Sequence, residues 1–329
     1  MTPSVSVGVA APAKVNLFLH VLRRREDGFH ELDTLFQAVD LCDDVVVTAR
    51  PGTGVTLRVE GADVGPEKEN LAYRAAAGFL DVAVGGRAAA PGFDLRSSAV
   101  AITLTKRIPA GAGLGGGPSD AAAVIRCMDA LWLGALLPEE LQKLAAGLGS
   151  DVPFFLGPSA LSRGRGRGEV LTPLPGLPTR WLVLVLPPVH VATGPAYGAL
   201  ARIRAEGGTV VGAGPGVGAG GEAGDGSPGA GVLPTTWSGE VSWDAVAAAA
   251  TNDFEAVVPE AYPEVARALG ALRGAGAGTV LLSGSGGACF GVFPDSTAAG
   301  DAAVRIGGAL GWPTHAVPTL RALPPLQSR

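Results

Sequence analysis

Apolar and polar positions along this chain change period several times. Val100-Ala101-Ile102-Thr103-Leu104-Thr105 alternates residue by residue, the pattern of a half-buried strand. Residues 44–49, 55–60, 100–106, 181–186, 279–282 and 288–293 read as strands, and 70–84, 119–133, 138–148, 262–273 and 296–310 carry helical spacing. In 119–133 the helical face is marked by Ala121, Ala122, Val124, Ile125, Met128, Leu131 and Trp132, and Ser119 or Asp120 is the expected cap. The early strands follow one another as in hairpins, and strands and helices do not alternate strictly. That order predicts an α+β architecture rather than a doubly wound parallel sheet.

Two stretches interrupt the pattern. Residues 207–231 contain 12 glycines and few large apolar side chains, too little burial to offset ordering, so they read as a flexible surface insertion. Arg and Gly alternate near 164–168. The expected division is therefore 1–165 and 166–329.

Composition narrows the function classes. The chain has 329 residues, 47% of them hydrophobic and 17% charged, against roughly 25% charged in a typical soluble protein. A net charge of -5 leaves no basic footprint for nucleic acid. Cys42, Cys127 and Cys289 are far apart and lack metal-ligand spacing, as expected of core thiols in a reducing cytosol. No apolar run reaches the roughly 18 residues of a membrane span, and no basic-plus-apolar leader opens the chain. A cytoplasmic protein is expected, with neither a nucleic-acid nor a membrane partner.

Between strand 100–106 and helix 119–133 runs Pro109, Ala110, Gly111, Ala112, Gly113, Leu114, Gly115, Gly116, Gly117, Pro118 and Ser119. A loop poor in side chains that opens a helix turns backbone N–H groups and the helix dipole toward an anion, so nucleotide phosphate is the expected ligand. Gly111, Gly113 and Gly116 satisfy a dinucleotide pattern, which asks for an acidic residue at a strand end about 20 residues on. Here Glu139 and Glu140 follow Pro138 in a helical first turn. The Gly-Lys-Ser/Thr of a Walker loop and the protein-kinase signatures are missing. A plain packing turn is the bland alternative, and five glycines between 111 and 117 exceed its needs.

Three further segments hold candidate chemistry. Lys14 and Asn16 share one face of the apolar run 11–19, where a lysine is expensive to bury unless paired or facing a site. Asp151, in Gly149-Ser150-Asp151-Val152-Pro153-Phe154-Phe155, is either a cap or turn residue or a catalytic carboxylate. Leu282-Ser283-Gly284-Ser285-Gly286-Gly287-Ala288-Cys289 is a second glycine turn, either a hairpin or a backbone wall of a cleft. Phosphoryl transfer needs a phosphate cradle, a cation and a group that orients or deprotonates the acceptor. The loop, Lys14 and Asp151 supply one of each.

In this order, segments 12–19, 109–120 and 282–289 resemble the three motifs of the GHMP kinase superfamily. The likeness is strongest to the branch that phosphorylates the tertiary hydroxyl of a diphosphocytidyl-methylerythritol in the non-mevalonate isoprenoid route. Pro12-Ala13-Lys14-Val15-Asn16-Leu17 is followed by Asp27-Gly28-Phe29-His30-Glu31-Leu32 and Thr34-Leu35-Phe36-Gln37, the loop carries Gly115-Gly116-Gly117, and 149–155 is similar to that branch's Gly-Ala-Asp-Val-Pro-Phe-Phe. The resemblance implies an N-terminal ribosomal-S5-like domain and a C-terminal ferredoxin-like domain with ATP, Mg²⁺ and a small cytidyl substrate meeting between them, in a monomer or homodimer. It implies Asp151 as the base at the acceptor hydroxyl, Lys14 as its charge partner near the γ-phosphate, and residues 109–119 as the ATP loop. Asn16 would contact substrate or the catalytic pair, His30 would read the cytosine edge, and Phe29 and Tyr197 would stack on its ring. Pro118 stands where the superfamily often has serine, and Phe29 where tyrosine is common; no acidic metal ligand is evident in the sequence. Homoserine or mevalonate kinases, diphosphomevalonate-type decarboxylases and a non-catalytic binding paralogue are the alternatives within the fold. The Gly28-Phe29-His30 segment and the paired Lys14 and Asp151 argue against them.

Overall fold

The computed structural model describes residues 4–84, 97–206 and 241–329. The glycine-rich stretch 207–231 lies outside them. Two strands of unusual length begin the chain, β1 (Val5–Arg24) and β2 (His30–Pro51), paired antiparallel as one hairpin with register shifts at Pro12/Ala13, Asn16/Phe18 and Val21/Arg24. The connection at Gly28 has φ 84°, a backbone conformation suited to glycine. β3 (Val55–Glu60), α1 (Leu71–Val84) and β4 (Ser98–Thr105) follow, β3 and β4 being parallel. Asn70 accepts from the Ala72 N–H at the start of α1.

Next come α2 (Gly116–Leu131), α3 (Pro138–Leu148), α4 (Val152–Leu156) and the hairpin β5 (Leu161–Gly166) and β6 (Val170–Pro173). β5 pairs with β2, so the first sheet continues through the Arg-Gly stretch to Pro173, past the expected division at 165/166. Helices α1, α2 and α4 cover this sheet through a core including Phe79, Ile102, Leu104, Ile125, Met128 and Phe154.

The second unit contains β7 (Trp181–Val185), α5 (Thr193–Ala205), α6 (Trp243–Ala249), α7 (Val258–Ala261), α8 (Pro263–Gly274), β8 (Thr279–Leu282), β9 (Cys289–Phe293), α9 (Ser296–Leu310) and β10 (Thr314–Pro318). Its antiparallel sheet has the order β10-β7-β9-β8, so its first strand lies beside its fourth and third, with helices in both crossovers: a ferredoxin-like arrangement. β11 (Gln327–Ser328) then returns to pair with β1. A second core is common to both units, with Leu17, Phe18 and Leu35 from one and Leu182, Leu184 and Phe290 from the other. Among the described residues no helix is long and apolar enough to cross a membrane. Cys127 and Cys289 are buried, but Cys42 is half-buried rather than a core thiol.

Candidate active site

A cleft of about 340 Å³ lies where the two units meet, lined by side chains of β1 and β2, by the glycine loop, and by residues 284–286. Lys14 is 4% exposed on β1. Its ammonium donates to Asn16 Oδ1 at 2.8 Å and lies 3.6 Å from Asp151 Oδ2. Asn16 Nδ2 donates to Thr34 Oγ1, which donates to the Phe18 carbonyl, so both ends of the Asn16 amide are held. The register shift at Asn16/Phe18 is what lets the Phe18 carbonyl serve a side chain on the neighbouring strand.

Asp151 occupies the N-cap position of α4, yet its carboxylate caps no backbone N–H. The cap reading thus falls away on geometry, and the carboxylate, about one-third exposed, lines the cleft. Ser150 beside it also lines the cleft.

The loop reaches this cleft through backbone. Gly111, Gly113 and Gly115 have φ of 70°, 87° and 71°, with no such value at Ala112 or Leu114 between them. Alternation of this kind curls successive N–H groups into a concave cradle. Leu114 is buried in the shared core and pins the loop down, while its carbonyl accepts from the Lys14 N–H at 2.9 Å. α2 starts at Gly116 with Gly115 as N-cap, three residues before the expected start. Ser119 and Asp120 are therefore buried inside the helix and cap nothing, because the left-handed Gly115 lets the helix begin directly from the loop. The first-turn N–H groups of Gly116 and Gly117 have no helical acceptor, and Pro118 has no N–H. Gly111, Gly113, Gly115 and Pro118 line the cleft.

The loop is fixed at both edges. On one edge, Lys106 Nζ is buried and bonded to Asp43 and, at 2.8 Å, to Asp120 on α2. Asp43 Oδ1 also accepts from the Arg107 and Ile108 N–H groups. On the other edge, the Ala112 carbonyl accepts from the Ala288 N–H at 3.0 Å and the Gly113 carbonyl from Ser283 Oγ at 3.0 Å. Gly286 lies so close to the loop that a Cβ there would stand 2.4 Å from Ala112 backbone. The second glycine turn is thus a cleft wall. Asn252 holds it from behind, donating through Nδ2 to the Leu282 and Gly284 carbonyls. Asn252 and the Asp43–Lys106–Asp120 cluster escaped the sequence reading. They are long-range pairings with no local spacing signal.

Of the residues expected to bind a base, one lines the cleft; His30 and Phe29 are not lining residues but touch ones that are, Tyr197 and Arg167. Tyr197, half-buried on α5, lines it; burial and the nearby Asp151 carboxylate push its hydroxyl up to about 12. His30 stacks on the Tyr197 ring with centroids 4.5 Å apart and a 17° interplanar angle. Burial, with Arg24 and Arg204 nearby, holds the His30 imidazole below its ordinary value, which favours its neutral form. Phe29 is 53% exposed, with the Arg167 guanidinium 4.8 Å from its ring centroid. The two rings expected to clasp a base, Tyr197 and Phe29, are thus each faced by another side chain, His30 and Arg167.

The GHMP kinases N terminal domain is matched over residues 70–157 and the GHMP kinases C terminal domain over 240–310. The 4-diphosphocytidyl-2-C-methyl-D-erythritol kinase of Geobacter sp. (strain M21) is 36% identical over 94% of this chain and 98% of its own length. That of Moorella thermoacetica is 40% identical over 91% of this chain and 93% of its own. The chain belongs to the 4-diphosphocytidyl-2-C-methyl-D-erythritol kinase family of GHMP kinases. A crystal structure of a 4-(cytidine 5'-diphospho)-2C-methyl-D-erythritol kinase aligns with a TM-score of 0.64 at 34% identity, covering 95% of this chain and 98% of that one. Homoserine kinase from Cytophaga hutchinsonii shares the fold, at a TM-score of 0.63 and 19% identity over 100% of this chain and 98% of that one. As a member of this kinase family the chain is a phosphotransferase that takes phosphate from ATP.

Proposed function

We propose that this cleft phosphorylates the tertiary hydroxyl of 4-diphosphocytidyl-2-C-methyl-D-erythritol, in the cytoplasm, as a step toward isoprenoid precursors. The observation that carries the reading is the Lys14–Asp151 pair facing the glycine loop, with an aspartate at a helix start that caps nothing. The family's curated relatives act on that acceptor by name.

In this reading the loop 109–119 receives the ATP phosphates on backbone N–H groups and on the start of α2. The acceptor oxygen forms a bond to the γ-phosphorus, the bond from that phosphorus to the leaving ADP oxygen breaks, and the hydroxyl proton passes to an Asp151 carboxylate oxygen. Lys14, oriented by Asn16, sets a positive charge beside the transferring group while keeping Asp151 in place. In its neutral form His30 offers one donor and one acceptor to a cytosine edge, and Tyr197 offers a ring face. Mg²⁺ would add charge neutralisation at the phosphates. Ser119 Oγ, buried at the start of α2 and without a hydrogen-bond partner among the described residues, is an oxygen suited to it.

The deciding experiment is ADP release with Mg·ATP and the diphosphocytidyl acceptor, run beside homoserine and mevalonate. Turnover with the cytidyl acceptor alone is expected; turnover with another acceptor instead would overturn the substrate assignment. A methyl added at Gly113 would stand 2.2 Å from the Ser283 carbonyl oxygen, at φ 87°. Gly113→Ala should therefore destabilise the chain by about 1–3 kcal/mol and raise the KM for ATP more than that for the acceptor. Thermal unfolding and steady-state kinetics check both, and an unchanged KM for ATP would remove this part of the loop from nucleotide binding.

A further inference from the structure

The Arg-Gly stretch does more than end a strand. β5 and β6 are joined by a turn in which Gly166 (φ 70°) and Gly168 (φ 109°) flank Arg167. The turn is locked: Gly166 N–H donates to Glu31 Oε1, Arg167 N–H to Glu169 Oε2 and Gly168 N–H to the Arg165 carbonyl. It places the Arg167 side chain in the cleft lining, with its guanidinium carbon over the Phe29 ring, 4.8 Å from that ring's centroid. A Cβ at Gly168 would stand 3.9 Å from Asp151 Oδ1, so the same turn touches the reacting end of the cleft. The turn thus lies between the carboxylate, on the Gly168 side, and the Phe29 ring, which Arg167 covers.

Its charge is under-used. Among the described residues, Lys14 and Arg167 are the cationic side chains lining the cleft. Lys14 is committed to Asn16 and Asp151. Arg204, near His30, is committed to Asp253 and the Val21 carbonyl. Arg167 makes one ion pair, Nε to Glu169 Oε1 at 3.5 Å, and its terminal nitrogens have no hydrogen-bond partner among the described residues. A guanidinium offers five donors in a planar fork that matches phosphate oxygens two at a time.

Resting on the acceptor reading above, we propose that Arg167 recognises the anionic diphosphate linker of the acceptor and so determines specificity for a nucleoside-diphosphate-linked alcohol over a neutral one. A ligand with its hydroxyl at Asp151 and its base at His30 and Tyr197 carries its diphosphate past this guanidinium. The stack on Phe29 holds the fork in place before the ligand arrives, which reduces the ordering cost of binding.

The test compares CDP and cytidine as probes, by calorimetry, on the parental chain, Arg167→Gln and Arg167→Lys. The glutamine variant is expected to keep its affinity for cytidine and to lose about ten- to a hundredfold for CDP, as for a charged hydrogen bond removed. The lysine variant should regain part of that loss. With the full acceptor, the glutamine variant's loss should fall on the acceptor KM rather than on kcat, with the KM for ATP unmoved. Equal losses for CDP and cytidine would reduce Arg167 to packing on Phe29 and overturn the proposal. A rise confined to the KM for ATP would assign it to the donor phosphates and overturn it too, as would an unchanged CDP affinity. A parental chain that neither binds CDP nor turns over the cytidyl acceptor would instead sink the acceptor reading, and this proposal with it.

Discussion

Asp151→Asn is expected to keep ATP affinity near the parental value while kcat falls by about 10²–10⁴-fold, the range for removing a general base. The argument is geometric. The carboxylate caps no backbone group, is about one-third exposed, and has Lys14 Nζ at 3.6 Å. Replacing it with an amide of the same shape therefore removes little from the fold, and Lys14 retains its 2.8 Å bond to Asn16. A matched pair of measurements, melting temperature and single-turnover phosphoryl transfer, separates the two roles. Loss of turnover with an unchanged melting temperature supports the assigned chemistry; near-parental turnover would remove Asp151 from it.

Lys106→Met is expected to act in the opposite way, through the fold. The ammonium is buried between Asp43 and Asp120, and its removal leaves the Asp43 carboxylate buried with no cation beside it. Breaking a buried ion pair by deleting one partner destabilises by about 3–5 kcal/mol, and denaturant unfolding would read that loss directly. The titration of the cluster gives a second reading. Burial opposes the Lys106 charge, but Asp120 and Asp43 outweigh it and hold that ammonium above its ordinary value. Burial and, beyond it, the Asp43 carboxylate push Asp120 up to about 8 from 3.8, against the pull of Lys106. The folded chain then keeps a proton on Asp120 that the unfolded chain has released. Stability from this group is complete below pH 3.8 and declines as pH rises through about 8. Asp120→Asn stays neutral throughout, so its melting temperature should fall less than the parental one across that window. An identical fall in both proteins would show that Asp120 is already ionised in the fold.

The parts legible in the sequence are those whose signal is local. Glycine runs need no partner to be seen, and both the 109–119 loop and the 282–289 turn lie in the cleft. Lys14 stood out because it interrupts an apolar run. The strands β1 and β2 were seen only in pieces. Residues 11–19 of β1 are buried on both faces, so the period of two vanishes where the strand is most central. Helix α5, which carries Tyr197, buries Ala196 and Leu200 but has little apolar contrast around its circumference, and it left no helical signal. The early start of α2 was hidden because its cap is a left-handed glycine, not a serine or aspartate. Asp43, Lys106 and Asp120 lie 63 and 14 residues apart along the chain and meet only after the sheet has formed.

The shared core beneath the cleft has a consequence for how this kinase folds. Leu17, Phe18 and Leu35 pack with Leu182, Leu184 and Phe290 in one cluster, and backbone bonds from Ala288 to Ala112 and from Leu19 to Thr251 cross the same boundary. Either half expressed alone would leave its side of that cluster in water, at about 25 cal/mol for each Å² of apolar surface left bare. The two halves are therefore distinct in topology but share one core, and a single cooperative unfolding transition is expected of them. The cleft is thus the open edge of a continuous core rather than a gap between two separately folded bodies.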